Sequence, residues 1–141
     1  MAYRYITAED VRNYILDRSQ ADNSLSMDLH FSDREVADAM LRCARDYNSI
    51  PPLIGWVDPE KLPGDTNIFL DGTAKQLCIA ELSKLARQDF DYTAGGVTTN
   101  IAAKRIEHLK MLIKLYGDQF VTAASAAKMA INLRSAYGQV G

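Results

Sequence analysis

Histidine is scarce in this chain, with only His30 and His108 among 141 residues. A metal site or a Ser-His-Asp arrangement would have to recruit one of the two. His30 stands at a loop edge beside Phe31. His108 sits among Arg105, Glu107 and Lys110, on what the periodicity makes the solvent side of a helix. Cysteine is equally scarce. Cys43 and Cys78 match no zinc-ligand spacing and are too few for a disulfide scaffold. Each falls on the apolar side of a predicted helix, where Cys acts as a small hydrophobe, so a reduced chain made in the cytoplasm is expected. No apolar run approaches the ~20 residues that cross a bilayer, and Met1-Ala2-Tyr3-Arg4-Tyr5 lacks a signal-peptide apolar core. Asp17, Asp22 and Asp28 are too widely spaced for a calcium loop. Gly95-Gly96 is not followed by the Lys-Ser/Thr of a phosphate loop. The expectation is therefore no enzyme, no cofactor, no metal and no membrane partner.

Charge of one sign is also lacking overall, with a formal balance of −2, but its distribution is uneven. Residues 1–96 hold 10 Lys+Arg against 16 Asp+Glu, a balance of −6; residues 97–141 hold 6 against 2, a balance of +4. An acidic front and a basic back suit head-to-tail contact between copies. Acidic helix starts and basic helix ends produce the same split without any partner.

What the chain has is helical periodicity. From Ile101 to Tyr137, apolar residues recur at Ala102, Ile106, Leu109, Ile113, Tyr116, Phe120, Ala124, Ala127 and Ile131, one face of an α-helix. The face keeps its register across Gly117. The pattern predicts either one helix of about 37 residues, ~55 Å long at ~1.5 Å per residue, or two collinear helices hinged at Gly117-Asp118. Beyond Gly117, the run Thr122 to Ala127 is built of small residues that admit close approach of another helix. A helix longer than its domain requires must pack against something outside it.

Three further helices precede this one. Thr7 caps the first, from about Ala8 to Arg18, with Glu9 and Asp10 in the first turn. The second opens on Ser32, with Glu35 completing a capping box and Phe31 and Val36 placed for a hydrophobic staple. Its apolar face is Val36, Met40, Cys43, Ala44 and Tyr47, and Pro51-Pro52 ends it. The third begins at Asp71 or Thr73 and runs to about Phe90 along Ala74, Leu77, Cys78, Glu81, Leu82, Leu85 and Ala86. Residues Asp91 to Gly96 form a linker. Thr98, Thr99 or Asn100 caps the last helix.

Between the second and third helices lie all four prolines and three glycines, from Asn48 to Gly72. Two apolar runs, Leu53 to Val57 and Asn67 to Leu70, flank a turn-rich centre and predict a β-hairpin or an extended arm. It carries the only Trp, the residue type most enriched at interface hot spots. Trp56 marks either a contact surface or the closure of one end of the helical core. The chain is thus expected to be one all-α domain: a small bundle of about four helices, with an inserted arm and a long C-terminal helix.

Lys104, Arg105, Lys110, Lys114, Lys128 and Arg134 could follow a phosphate backbone along the last helix. Glu107 and Asp118 interrupt them, and no aromatic is interleaved for base stacking. A solvated helix face accounts for them better than a nucleic-acid contact does.

The layout as a whole resembles structural proteins of tailed-bacteriophage virions, and in particular the head-to-tail adaptor, or connector, proteins of the neck. The residues that carry the resemblance are Tyr47-Asn48-x-x-Pro51-Pro52 at the end of the second helix, Leu70-Asp71-Gly72-Thr73-Ala74 opening the third, and Tyr92-Thr93-Ala94-Gly95-Gly96 before the long helix. It implies a non-enzymatic ring, commonly of twelve copies, below the portal protein in the virion, with genome DNA passing through the channel without sequence-specific binding and the next neck or tail-completion protein docking beneath. On that footing Ile54, Trp56, Val57 and Phe69 reach a neighbouring copy or layer. Lys104 and Arg105 meet the acidic front of the next copy. Phe120, Ala124, Ala127, Ile131 and Tyr137 lie against the portal. The arm and the length of the last helix depart from the family pattern. A small DNA-packaging subunit and a tail-completion or baseplate protein are the alternatives.

Overall fold

A computed structural model describes residues 4–15, 31–92 and 99–137, with side chains to 87 and from 104 to 134. The described residues form four helices: α1 (Ala8–Tyr14), α2 (Asp33–Ser49), α3 (Ile68–Tyr92) and α4 (Thr99–Tyr137). The mostly helical architecture follows the periodicity. The α1 helix ends at Tyr14 with Ile15 as its C-cap, short of the expected Arg18; the linker at Gly95-Gly96 lies outside the described residues.

Local chemistry sets the helix starts. Thr7 accepts from the Asp10 amide while the Asp10 side chain accepts from the Thr7 amide. The same reciprocal box joins Ser32 and Glu35 at α2, as the sequence predicts. Phe31 and Val36 are both buried in one cluster. The α2 helix stops at Ser49, before a cis Pro51-Pro52 bond. Arg12, buried on α1, donates to the Phe31 carbonyl (2.7 Å) and to Asp33 (2.9 Å), fastening α1 to the start of α2.

The central helix is α3, which packs on α4, on α2 and on α1. Its first turn corrects the expected arm. Ile68 and Phe69 are buried helical residues, and no strand occurs among the described residues. A four-residue apolar run fits a strand or a buried helical turn equally well, and the core decided in favour of the helix. The centre of the arm is not a hairpin tip either. Leu62 is fully buried, and the segment pairs with the N-terminal strand-like residues through Ile6 N–H to Leu62 O (2.9 Å) and Gly64 N–H to Arg4 O (2.7 Å).

The long helix is continuous through Gly117 and extends 39 residues, ~58 Å. Every described residue of the predicted seam from Ile106 to Ile131 is buried or half-buried. The two helical glycines have opposite roles. A Cβ on Gly117 would meet only Lys75 Cδ at 3.6 Å, an ordinary contact. A Cβ on Gly72 would lie 2.5 Å from Cys43 Sγ and 2.9 Å from the Phe120 ring, so Gly72 is where α2, α3 and α4 converge. Gly117→Ala is expected to stabilise the protein by up to about 1 kcal/mol through helix propensity alone. Gly72→Ala gains the same term, but overpacks a core whose neighbours cannot step aside, and is expected to lose about 1–3 kcal/mol net. Urea midpoints of the two variants check both signs.

Candidate functional site

The loop between α2 and α3 is held from below and open above. Asn48 pins it at Val57, donating to the Val57 carbonyl (3.0 Å) and accepting from its amide (2.8 Å). Gly55 has φ +67°, and a Cβ there would meet Ile131 Cδ1 at 2.8 Å. Only glycine relieves both the backbone conformation and the approach to α4. Ile54 and Val57 are half-buried. Trp56 is 71% exposed and Leu53 76%, so the only Trp does not close the helical core.

The other predicted contact residues divide. Phe69 belongs to the core, its ring 4.9 Å from that of Tyr47 in a tilted pair. Phe120 and Ala124 are buried inside the monomer, and Ala127 packs partly against the same cluster. The buried side chains of Phe69, Phe120 and Ala124 therefore present no surface to a portal or neighbour, which corrects that expectation for these three. The cause is that α4 uses this stripe on its own domain. Ile131 is half-buried against the loop. Lys104 and Arg105 are exposed. The side chain of Tyr137 lies outside the described residues.

Lys128 is a further correction. It was expected on the basic outer face of the last helix, yet its side chain is buried. Nζ donates to the Ile50 carbonyl (2.7 Å) and sits 4.7 Å from the centre of the Tyr47 ring. The α2 helix has no basic residue in its own last turn, and Lys128 supplies the cation from α4. Burial pushes its pKa down. No sequence signal separates this lysine from the solvated ones except its place beside the seam.

Between α1, α3 and α4 runs a groove of about 440 Å³, lined by Leu77, Leu112 and Tyr116 with Cys78, Arg105 and His108 at its polar parts. Burial pushes the Cys78 thiol up to about 11, the reverse of the lowered pKa that activates a nucleophilic cysteine. The Cys78 thiol in this groove is therefore held in its protonated form. Among the described residues no group of three or more His, Cys, Asp or Glu could hold a metal ion, and no helix is long and apolar enough to cross a membrane.

The buried ionisable groups make the fold sensitive to alkali. Burial drives Cys43 up to about 12 and Cys78 up to about 11, and raises Tyr47 and Tyr116. Burial and its hydrogen bond to Asp71 raise Tyr14. Each such group stabilises the fold fully below its unfolded pKa and loses that contribution as pH rises through the folded value. Lys128 acts in the opposite sense, one group against five. Stability is expected to hold to about pH 8.5 and to fall between about pH 9 and 12, as urea midpoints across that range measure.

Comparison of the chain with protein-family models, with curated proteins and with solved structures yields no match.

Proposed function

We propose that this chain is a structural assembly protein, acting as a head-to-tail adaptor of a tailed-phage virion. It forms a ring of copies below the portal, extends the DNA channel and docks the next neck or tail component. The observation that carries the reading is the pairing of a ~58 Å helix with a pinned loop that holds Trp56 and Leu53 out of the core. An exposed Trp beside a pinned backbone is costly to leave in water and is the residue type that anchors interfaces. The layout resemblance supplies the virion context. The exposed Lys104 and Arg105 supply the basic side of a head-to-tail contact, and Ile54 and Val57 shape the loop that presents Trp56.

Quantitative mass spectrometry of purified virus particles tests the reading. The chain is expected at a copy number close to that of the portal subunit, and its absence from particles overturns the adaptor. Trp56→Ala is expected to shift folding stability by no more than about 0.5 kcal/mol and to weaken assembly by about 2 kcal/mol or more. Equal loss of folding and assembly would return Trp56 to a core role. Charge reversal at Lys104 and Arg105 is expected to weaken ring formation with the fold intact. Salt-dependent binding to duplex DNA in their place would favour the packaging-subunit alternative.

A further inference from the structure

The exposed Trp56 has a counterpart elsewhere on the same molecule. The groove between α1, α3 and α4, of about 440 Å³, has the volume of a small-ligand site. Its apolar walls are Leu77, Leu112 and Tyr116. Leu112 is exposed and Tyr116 half-buried, so apolar surface of α4 is open to an entering side chain. Its polar parts include Glu81, Arg105 and His108. An indole suits such walls. Its face packs on apolar groups and stacks on a guanidinium, and its N–H requires an acceptor, which the Glu81 carboxylate offers.

A copy cannot fill its own groove. Trp56 follows Gly55, whose backbone lies against Ile131. The groove meets α4 between Arg105 and Tyr116. Even Tyr116 is 15 residues from Ile131, ~22 Å along the helix, beyond the reach of an indole side chain. The loop and the groove therefore sit at separate levels of α4, and only another copy brings them together.

Charge favours the same pairing. After Trp56 the loop carries Asp58, Glu60 and Asp65 against Lys61, all exposed, a balance of −2. From 104 to 114, α4 carries Lys104, Arg105, Lys110 and Lys114 against Glu107, a balance of +3. Glu81 of α3 lowers the surroundings of the groove to +2. Two loops or two grooves face to face would oppose like charges, whereas loop on groove opposes unlike ones.

We propose that Trp56 of one copy inserts into the α1–α3–α4 groove of the next, with the acidic loop at 58–65 against the basic stretch 104–114 of that copy's α4. The contact is heterologous. Each copy has one anchor and one groove, so a bound pair still offers one of each, and the assembly closes into a ring or grows as a helix. The proposal rests on the self-assembly part of the reading above, naming the surface that receives Trp56, and not on its virion context.

Sedimentation and fluorescence of the purified full chain test it. Trp56 is the only Trp, so its emission reads the contact directly. From about 1 to 500 μM, a range that brackets micromolar affinity, the emission is expected to move to shorter wavelength while the mass rises beyond that of a dimer. Trp56→Ala removes the anchor and Leu112→Glu charges the groove. Each alone is expected to weaken association about thirtyfold and to keep the helical circular dichroism; Arg105→Glu takes the place of Leu112→Glu should that variant fail to fold. Mixed in equal amounts, the Trp56→Ala and groove variants are expected to form a one-to-one dimer and nothing larger, because the mixture holds one intact anchor and one intact groove per pair. Adding the Trp-less copy should then shift the emission of the groove variant. A chain that stays monomeric overturns the proposal. So does an association indifferent to the groove variants, as a groove filled by its own chain would give, or a mixture that does not pair. The copy number in virus particles tests the virion reading separately, whichever of these results is obtained.

Discussion

Phe120→Ala is expected to remove about 3–5 kcal/mol of folding stability, the largest loss among the substitutions considered. The ring is 1% exposed and lies against Gly72 of α3, in the core cluster that Cys43 of α2 also joins. Truncation removes the transfer free energy of the ring and leaves a cavity between three helices, whose axes are set by many other contacts and cannot collapse onto it. Domains of this kind have only ~5–15 kcal/mol in hand, so the variant should unfold at markedly lower urea. The measurement also separates two roles for this residue. A side chain serving only a contact with another protein would lose assembly and keep its urea midpoint. Phe120→Leu, which keeps most of the apolar volume, should recover part of the loss.

The second large effect is expected at Lys128. Lys128→Ala takes the cation from the Ile50 carbonyl and from the Tyr47 ring and leaves the space of a fully buried four-carbon stem. A charged hydrogen bond is worth ~1.5–3 kcal/mol and a desolvated cation–π contact up to ~2. Against these stands the cost of holding an ammonium out of water, visible as its lowered pKa. Among the described residues no carboxylate pairs with it to reduce that cost. The net expectation is a loss of about 2–4 kcal/mol for Ala. Lys128→Met refills the stem and removes the desolvation cost, so its loss should be smaller, under ~2 kcal/mol. Thermal or urea unfolding of the two variants gives the comparison. A Met variant as damaged as the Ala one would place the whole effect in the charge rather than the packing.

Much of this architecture is legible residue by residue. The Ser32–Glu35 box is a local exchange of hydrogen bonds between groups three residues apart, and it forms as the pattern demands. The α4 seam follows because a 39-residue helix averages its burial over many turns, and no single residue can disguise the period. The proline pair at 51–52 stops α2 for reasons internal to its own covalent geometry. Continuity at Gly117 is different. The roughly 1 kcal/mol propensity cost is small, and the choice between one helix and two rests with α3, which packs along α4 and brings Lys75 beside the glycine.

Site residues were less legible than the fold, because burial and contact are both made of apolar side chains. Phe69, Phe120 and Ala124 carry the composition of an interface and lie in the monomer core. Trp56, with the same composition, lies outside. Local sequence determined where α1 and α2 start, where α2 stops, and which stripe of α2 and α4 is apolar, since capping, proline geometry and the 3.6-residue period act within one or two turns; the start of α3 at Ile68, ahead of the expected Asp71, was set by the core. Only the tertiary structure decided which apolar surface is spent inside the molecule and which is left over. That outcome depends on how many neighbours reach each stripe: α3 covers one side of α4, and no helix of the described chain covers the other.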